Sequence, residues 1–204
     1  MKKYFTNYVM KQINKYYVYD SVKQAEVRYG IETLYITITK TIVIFFLAYL
    51  LNIFKELLLL FSLYSLLRFT GNGLHAKKSW QCWFSSTIVF LVLPFLCKFL
   101  VINVYLKLVI SLAMVLLIFI YAPADTEKKP IINKKKRIIL KSVCTINALI
   151  YTIILIIYKD HMISNILLFA QVTQVILMLP ITYRIFNLKY NNYKEYSKTK
   201  LTSC

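Results

Sequence analysis

The sequence predicts an all-α integral membrane protein: about six membrane-crossing or re-entrant helices, preceded by N-terminal interfacial amphipathic helices. Two observations carry that prediction. Of the 204 residues 59% are hydrophobic, and the mean hydropathy is +0.59, so the chain holds far more apolar surface than one small soluble core can bury. Those residues come in long blocks separated by charge, the pattern of repeated spans rather than of one anchor on a soluble domain. The net charge of +18 fits the same class. The basic residues stand beside the apolar blocks, where topology and anionic lipid account for them, and nucleic acid is not an expected partner.

Residues 1–32 carry nine charges and no uninterrupted apolar core, so no cleavable signal peptide is expected there. Tyr4, Phe5, Tyr8, Val9, Ile13, Tyr16 and Tyr17 recur at helical spacing, with Lys3, Lys11 and Lys15 mostly opposite; this suits an interfacial helix. Ser21 followed by Gln24 reads as a capping box, and Gly30 as the close of a short second helix. Both helices are expected on the cytoplasmic membrane surface. The membrane domain, 33–183, holds apolar blocks at Thr33 to Phe54, Leu57 to Phe69, Trp83 to Val101, Val104 to Tyr121, Val143 to Tyr158 and Ile163 to Tyr183. Thirteen residues in the second block make only ~20 Å of helix. It reads as a short span, a re-entrant segment, or the end of one long helix from Thr41.

Charge selects among these. If the second block crosses, 21 of the 26 Lys and Arg residues fall on one side, as the positive-inside tendency requires. Both termini and the loop around His75 are then cytoplasmic. The basic loop 122–142 carries Lys128, Lys129, Lys134, Lys135, Lys136 and Arg137. It is either a topology determinant touching headgroups or a dock for an acidic segment. The cytoplasmic tail is 184–204; from Lys189 it is polar and tyrosine-rich, and reads as loosely ordered and without a motif.

The chemistry concentrates at 68–83. Gly71, Asn72, Gly73, His75, Lys77, Lys78, Ser79, Trp80, Gln81, Cys82 and Trp83 form a polar interruption in an oily chain. The bland reading is a loop between two membrane helices. The sharper one is a cysteine endopeptidase with Cys82 as nucleophile and His75 as general base, then general acid. A thiol is a useful nucleophile as thiolate, and its pKa falls at a helix N-terminus or beside positive charge. Cys82 opens the third block, with Lys77 and Lys78 near in sequence. Trp80 and Trp83 are interface anchors that keep the sulfur near the headgroups. In a continuous helix His75 and Cys82 would stand ~10 Å apart, so the chain must fold back, and Gly71 and Gly73 supply the conformations. Asn72, Ser79, Gln81 or the first amides of the third helix are candidate oxyanion donors. With no carboxylate adjoining, a dyad is expected unless Asp125 or Glu127 folds in.

The remaining candidates read plainly. Cys97 and Cys144 are packing residues in apolar stretches, Cys204 is not in a prenylation signal, and His161 is a solvated loop residue. One His and one Cys fall short of the usual four ligands, so no metal is expected, and no cofactor is called for.

The run Arg68-Phe69-Thr70-Gly71-Asn72-Gly73-Leu74-His75-Ala76, Cys82 seven residues after the histidine, and Ala122-Pro123-Ala124-Asp125-Thr126-Glu127-Lys128-Lys129-Pro130-Ile131 together resemble the AgrB family over essentially the whole chain. These are membrane endopeptidases of Gram-positive quorum sensing. The resemblance implies a multi-pass protein of the bacterial cell membrane whose substrate is an AgrD-type propeptide with an amphipathic leader, a central pheromone and an acidic C-terminal tail. Cys82 and His75 match the family's catalytic pair, and Arg68 and Gly73 match positions associated with activity. Cys82 would cut before the tail and hold the rest as a thioester, which an internal Cys or Ser opens to a thiolactone or lactone. Lys77, Lys78, Lys128, Lys129, Lys134, Lys135, Lys136 and Arg137 would suit the acidic tail and the apolar surface the leader; membrane lipid is a further expected partner, and a homodimer is the family expectation. The alternative is a small multi-span peptide transporter or exporter without covalent chemistry.

Overall fold

A computed structural model describes residues 2–17, 19–74, 79–126, 131–158 and 160–193, the side chains of Val22 and Ser79 excepted. His75, Lys77, Lys78, Lys128, Lys129 and residues 194–204 lie outside the described residues. Every regular element among the described residues is helical, as the composition predicts. Among the described residues four helices are long and apolar enough to cross a membrane: Lys23–Leu50, Trp80–Phe99, Val104–Tyr121 and Lys134–Ile157. By their contacts the residues fall into two compact units, 1–51 and 52–204.

The first unit is two helices. α1 (Lys2–Tyr16) packs along the opening turns of α2 (Ser21–Leu50). Lys2 Nζ lies 2.8 Å from Glu32 Oε2, Arg28 donates to Asn7 Oδ1 at 2.8 Å, and the rings of Phe5 and Tyr35 are 5.1 Å apart. The expected cap shifts by one residue: Asp20, not Ser21, accepts the Lys23 amide, at 2.8 Å. An ionised carboxylate is the stronger acceptor for that orphan N–H. The expected stop at Gly30 is also corrected. α2 passes through it for 30 residues, because a glycine inside a helix costs only ~1 kcal/mol, less than opening the backbone bonds on either side beside a membrane.

The second unit begins where α2 breaks. Leu51 N donates back to Leu47 O at 2.9 Å, Asn52 takes a left-handed φ of 55°, and α3 (Phe54–Gly71) starts as a separate helix. That excludes one long helix from Thr41. Its 18 residues give ~27 Å, longer than the apolar block suggested, because Phe54, Lys55 and Glu56 before that block and Thr70 and Gly71 after it belong to the helix. It is also sheltered. Leu57, Leu60 and Leu67 are fully buried, Tyr151 donates to Leu63 O at 2.9 Å, and its neighbours are α5, α7 and α8.

The third span is α4 (Ser79–Thr87), a π turn (Ile88–Val92) and α5 (Leu93–Phe99). Pro94 has no N–H to offer residue 90 and would crowd its carbonyl; the wider π turn relieves that. Phe90 in this turn packs on Phe61 and Tyr64 of α3, each at 5.5 Å. α6 (Val104–Tyr121) matches its apolar block. α7 (Lys134–Ile157) begins inside the expected basic loop, so Lys134, Lys135, Lys136 and Arg137 form a helical first turn, capped by Asn133. The last block is broken: α8 (His161–Ile176) gives way at 177–179 to α9 (Pro180–Ile185), since the residue before proline is held extended.

α8 lies against α3, α5, α6 and α7 and brings polar groups into that core. Ser111 donates to Gln171 Oε1 at 2.7 Å, Gln171 Nε2 to Ala148 O at 2.9 Å, and Lys107 Nζ to Ser164 Oγ at 2.5 Å. Asn165 binds the carbonyls of Cys97 and Leu100 at the end of α5. Away from water such groups must find partners within the protein.

Candidate functional site

Three helix C-termini meet at one end of the second unit: α3 at Gly71, α6 at Tyr121 and α8 at Ile176. Backbone bonds lace the segments that follow. Ala124 N donates to Gly71 O at 3.0 Å, Gly73 N to Ala124 O at 3.0 Å and Leu74 N to Leu177 O at 2.9 Å. Helix C-termini expose unpaired carbonyls and partial negative charge, and Arg68, in the last turn of α3, answers them. Its Nη1 donates to Asn72 O at 2.7 Å, and its Nη2 to the carbonyls of Gly73 and Leu74. One planar fork thus grips three consecutive carbonyls, a geometry that a single ammonium does not reproduce.

The two glycines serve different ends. Gly73 has φ +122°, and a Cβ there would stand 2.5 Å from Arg68 Nη1 and 2.8 Å from Leu177 O. Both the conformation and the space require glycine. Gly71, expected to help make the turn, is still in α3; a Cβ there would stand 2.5 Å from Gln174 Nε2 and 3.0 Å from Cys144 Sγ. Its requirement is close packing. The entry to the loop, read as a flexible return, is clamped from three sides as far as Leu74.

Cys82 lies in the first turn of α4, half-buried. Trp80 is exposed and Trp83 half-buried. Ser79 opens α4 and Gln81 precedes the cysteine. Asn72 has φ 54° and its side-chain amide reaches Thr70 O at 3.5 Å, while its carbonyl is taken by Arg68 and, at 2.8 Å, by Gln174 Nε2. Cys97 and Cys144 are buried, as expected of packing residues.

Asp125 is committed elsewhere. Its carboxylate accepts the amides of Asn192 at 3.1 Å and Tyr193 at 2.8 Å, with Arg137 Nη1 at 3.9 Å. The Arg137 guanidinium lies 3.5 Å over the Tyr193 ring. Arg137 is thereby set apart from Lys134, Lys135 and Lys136, which are exposed. The tail from Lys189, expected to be loose, is held as far as Tyr193, and Tyr190 packs edge-on to Tyr183 at 5.1 Å. Sequence reasoning missed Gln174 and Leu177. A glutamine in an apolar block was the one available signal.

Fold and site define a multi-span helical membrane protein in which gathered helix ends fix a glycine-bearing break that leads into a cysteine-bearing helix. The model of the family AgrB, accessory gene regulator B, matches residues 2–178, and the chain belongs to that family. It is 34% identical over 182 residues to the accessory gene regulator protein B of Staphylococcus aureus, covering 88% of this chain and 92% of that one. An AgrB-like protein of Clostridium acetobutylicum is 30% identical over 191 residues, 94% of this chain and 91% of its own. One from Listeria monocytogenes is 29% identical over 171 residues, 84% of each. No solved structure matches. Membership supports a role in the agr quorum-sensing system, and with the apolar helices it makes this a membrane protein.

Proposed function

We propose that this chain is a membrane-embedded cysteine endopeptidase that removes the C-terminal tail of an AgrD-type quorum-sensing propeptide. The observation that carries this reading is Cys82 in the first turn of α4, following a break whose entry Arg68 and Gly73 fix. The Cys82 thiolate attacks the carbonyl that precedes the tail. The C–N bond breaks, His75 gives its proton to the departing amine, and the remaining peptide is held as a thioester. An internal Cys or Ser of the peptide then attacks that carbonyl, His75 takes its proton, and the Cys82 thiolate leaves as the ring closes to a thiolactone or lactone. Thioester exchange keeps the acyl group activated, and a site screened from bulk water disfavours hydrolysis.

Arg68 serves as a positioning group rather than an oxyanion donor, because its N–H groups already point at backbone carbonyls. The amides opening α4 remain candidates for the oxyanion. Lys134, Lys135 and Lys136, exposed on the first turn of α7, suit an acidic tail; Arg137 serves the protein's own C-terminal segment. Co-expression with a propeptide tests the reading: Cys82→Ala and His75→Ala abolish tail removal while the protein remains inserted. Normal tail removal by Cys82→Ala would end it.

A further inference from the structure

Two fully buried glutamines stand on α8, and they do different things. Gln171 uses both ends of its carboxamide within the core, accepting from Ser111 at 2.7 Å and donating to Ala148 O at 2.9 Å and Thr152 Oγ1 at 3.4 Å. Gln174 uses its donor alone: Nε2 reaches Asn72 O at 2.8 Å, 102 residues away in sequence, and Met178 Sδ at 3.0 Å. Its Oε1, equally buried, meets no donor among the described residues. Asn72 O is also the carbonyl that Arg68 grips, and Gly71 lies so close to Gln174 that a Cβ would meet Nε2 at 2.5 Å. A buried polar side chain with half its capacity unused is poor glue for a core, but it is well placed to hold one carbonyl.

We infer that Gln174 is a positioning residue for the proposed peptidase: from α8 it fixes the backbone at Asn72, and so the course on which the chain leaves toward His75 and Cys82. The inference rests on the function proposed above. Arg68 sets the loop from the α3 side and Gln174 from the α8 side, so neither alone determines where the general base is delivered. An error of about 1 Å in such a group costs on the order of a hundredfold in rate.

The test compares purified wild type, Gln174→Met, Gln174→Glu and Gln171→Met for tail removal and thermal midpoint. Gln174→Met keeps length and loses the donor, so kcat falls about tenfold or more while KM stays within about threefold. Gln171→Met removes more hydrogen bonds, and so lowers the midpoint further while retaining kcat within about threefold. The two variants thus rank oppositely for stability and for rate. Gln174→Glu is inactive as the carboxylate, which repels the Asn72 carbonyl, and regains activity relative to wild type as pH falls and the carboxyl becomes a donor. Wild-type kcat in Gln174→Met, or equal losses in both methionine variants, overturns the inference. Should Gln174→Met accumulate poorly, the pH recovery of Gln174→Glu decides, and its absence overturns the inference. Tail removal that survives Cys82→Ala overturns the proposed function, and this inference with it.

Discussion

Two of the three glycines in the chain are explained by a physical requirement, close packing at Gly71 and both φ and space at Gly73, and the requirement predicts what an added methyl group does. At Gly73 the φ of +122° and two atoms within 3 Å of where a Cβ would stand act together. Backbone strain alone is worth ~1–3 kcal/mol for a side-chain-bearing residue, and the crowding falls on the guanidinium that holds the loop. Gly73→Ala is therefore expected to lower propeptide tail removal by about tenfold or more, since a clamp displaced by an ångström misplaces whatever follows it. An immunoblot of membrane fractions would show normal insertion beside that loss. Wild-type processing by Gly73→Ala would show that the clamp has no bearing on the chemistry. The resemblance singled out this glycine, but not the atoms that crowd it. Its counterparts are a guanidinium and a carbonyl of residue 177, and any residue supplies a carbonyl.

Helices decide the outcome at Gly30. Nothing lies within 4 Å of a Cβ placed there, and α2 runs through the position, so the glycine only adds conformational freedom to the unfolded chain. Gly30→Ala is expected to stabilise the protein by ~0.5–1 kcal/mol, seen as a raised thermal midpoint with processing unchanged. A lowered midpoint would mean that the helix needs to bend there. The same contrast explains which elements were legible. α6 was read with its observed bounds because, Lys107 and Ser111 apart, it is apolar from end to end. α7 begins at Lys134, well before its apolar block, since lysine and arginine are good helix formers that hydropathy counts only as charge. α8 is crowded with Ser164, Asn165, Thr173 and two glutamines, and is nonetheless the most buried helix; Ser164, Gln171 and the amide of Asn165 are taken up by α6, α7 and the end of α5, and no local pattern names those partners. The hold of Asp125 on Asn192 and Tyr193 joins segments about 67 residues apart and was likewise invisible.

For the molecule as a whole, the charge asymmetry and the gathered helix ends point to the same arrangement. The loops after α3, α6 and α8 are bonded to one another, so they share one end of the second unit, and these are the segments that the basic residues place on a common side. The opposite end is marked by Asn165 on the carbonyls of Cys97 and Leu100 and by Lys98 Nζ, 4.0 Å from Glu56 Oε1. α3 connects these ends, with Glu56 in its first turn and Arg68 in its last. Its ~27 Å falls only slightly short of a ~30 Å hydrocarbon layer, and a shortfall of that size is met by modest thinning. If α3 crosses, the expected number of spans is even and both termini are expected on one face, the cytoplasmic one by the positive-inside tendency. The prediction is a labelling pattern in a background with Cys82→Ala and Cys204→Ser, in which Cys97 and Cys144 are buried. Thiols introduced at Leu51, Val101 and Tyr158, all exposed, react with an impermeant maleimide on intact cells. Thiols at Ile132 and Lys189, also exposed, react only after permeabilisation. If Leu51 instead groups with Ile132, α3 does not cross, and the loop before Cys82 faces away from the side where a newly made propeptide lies.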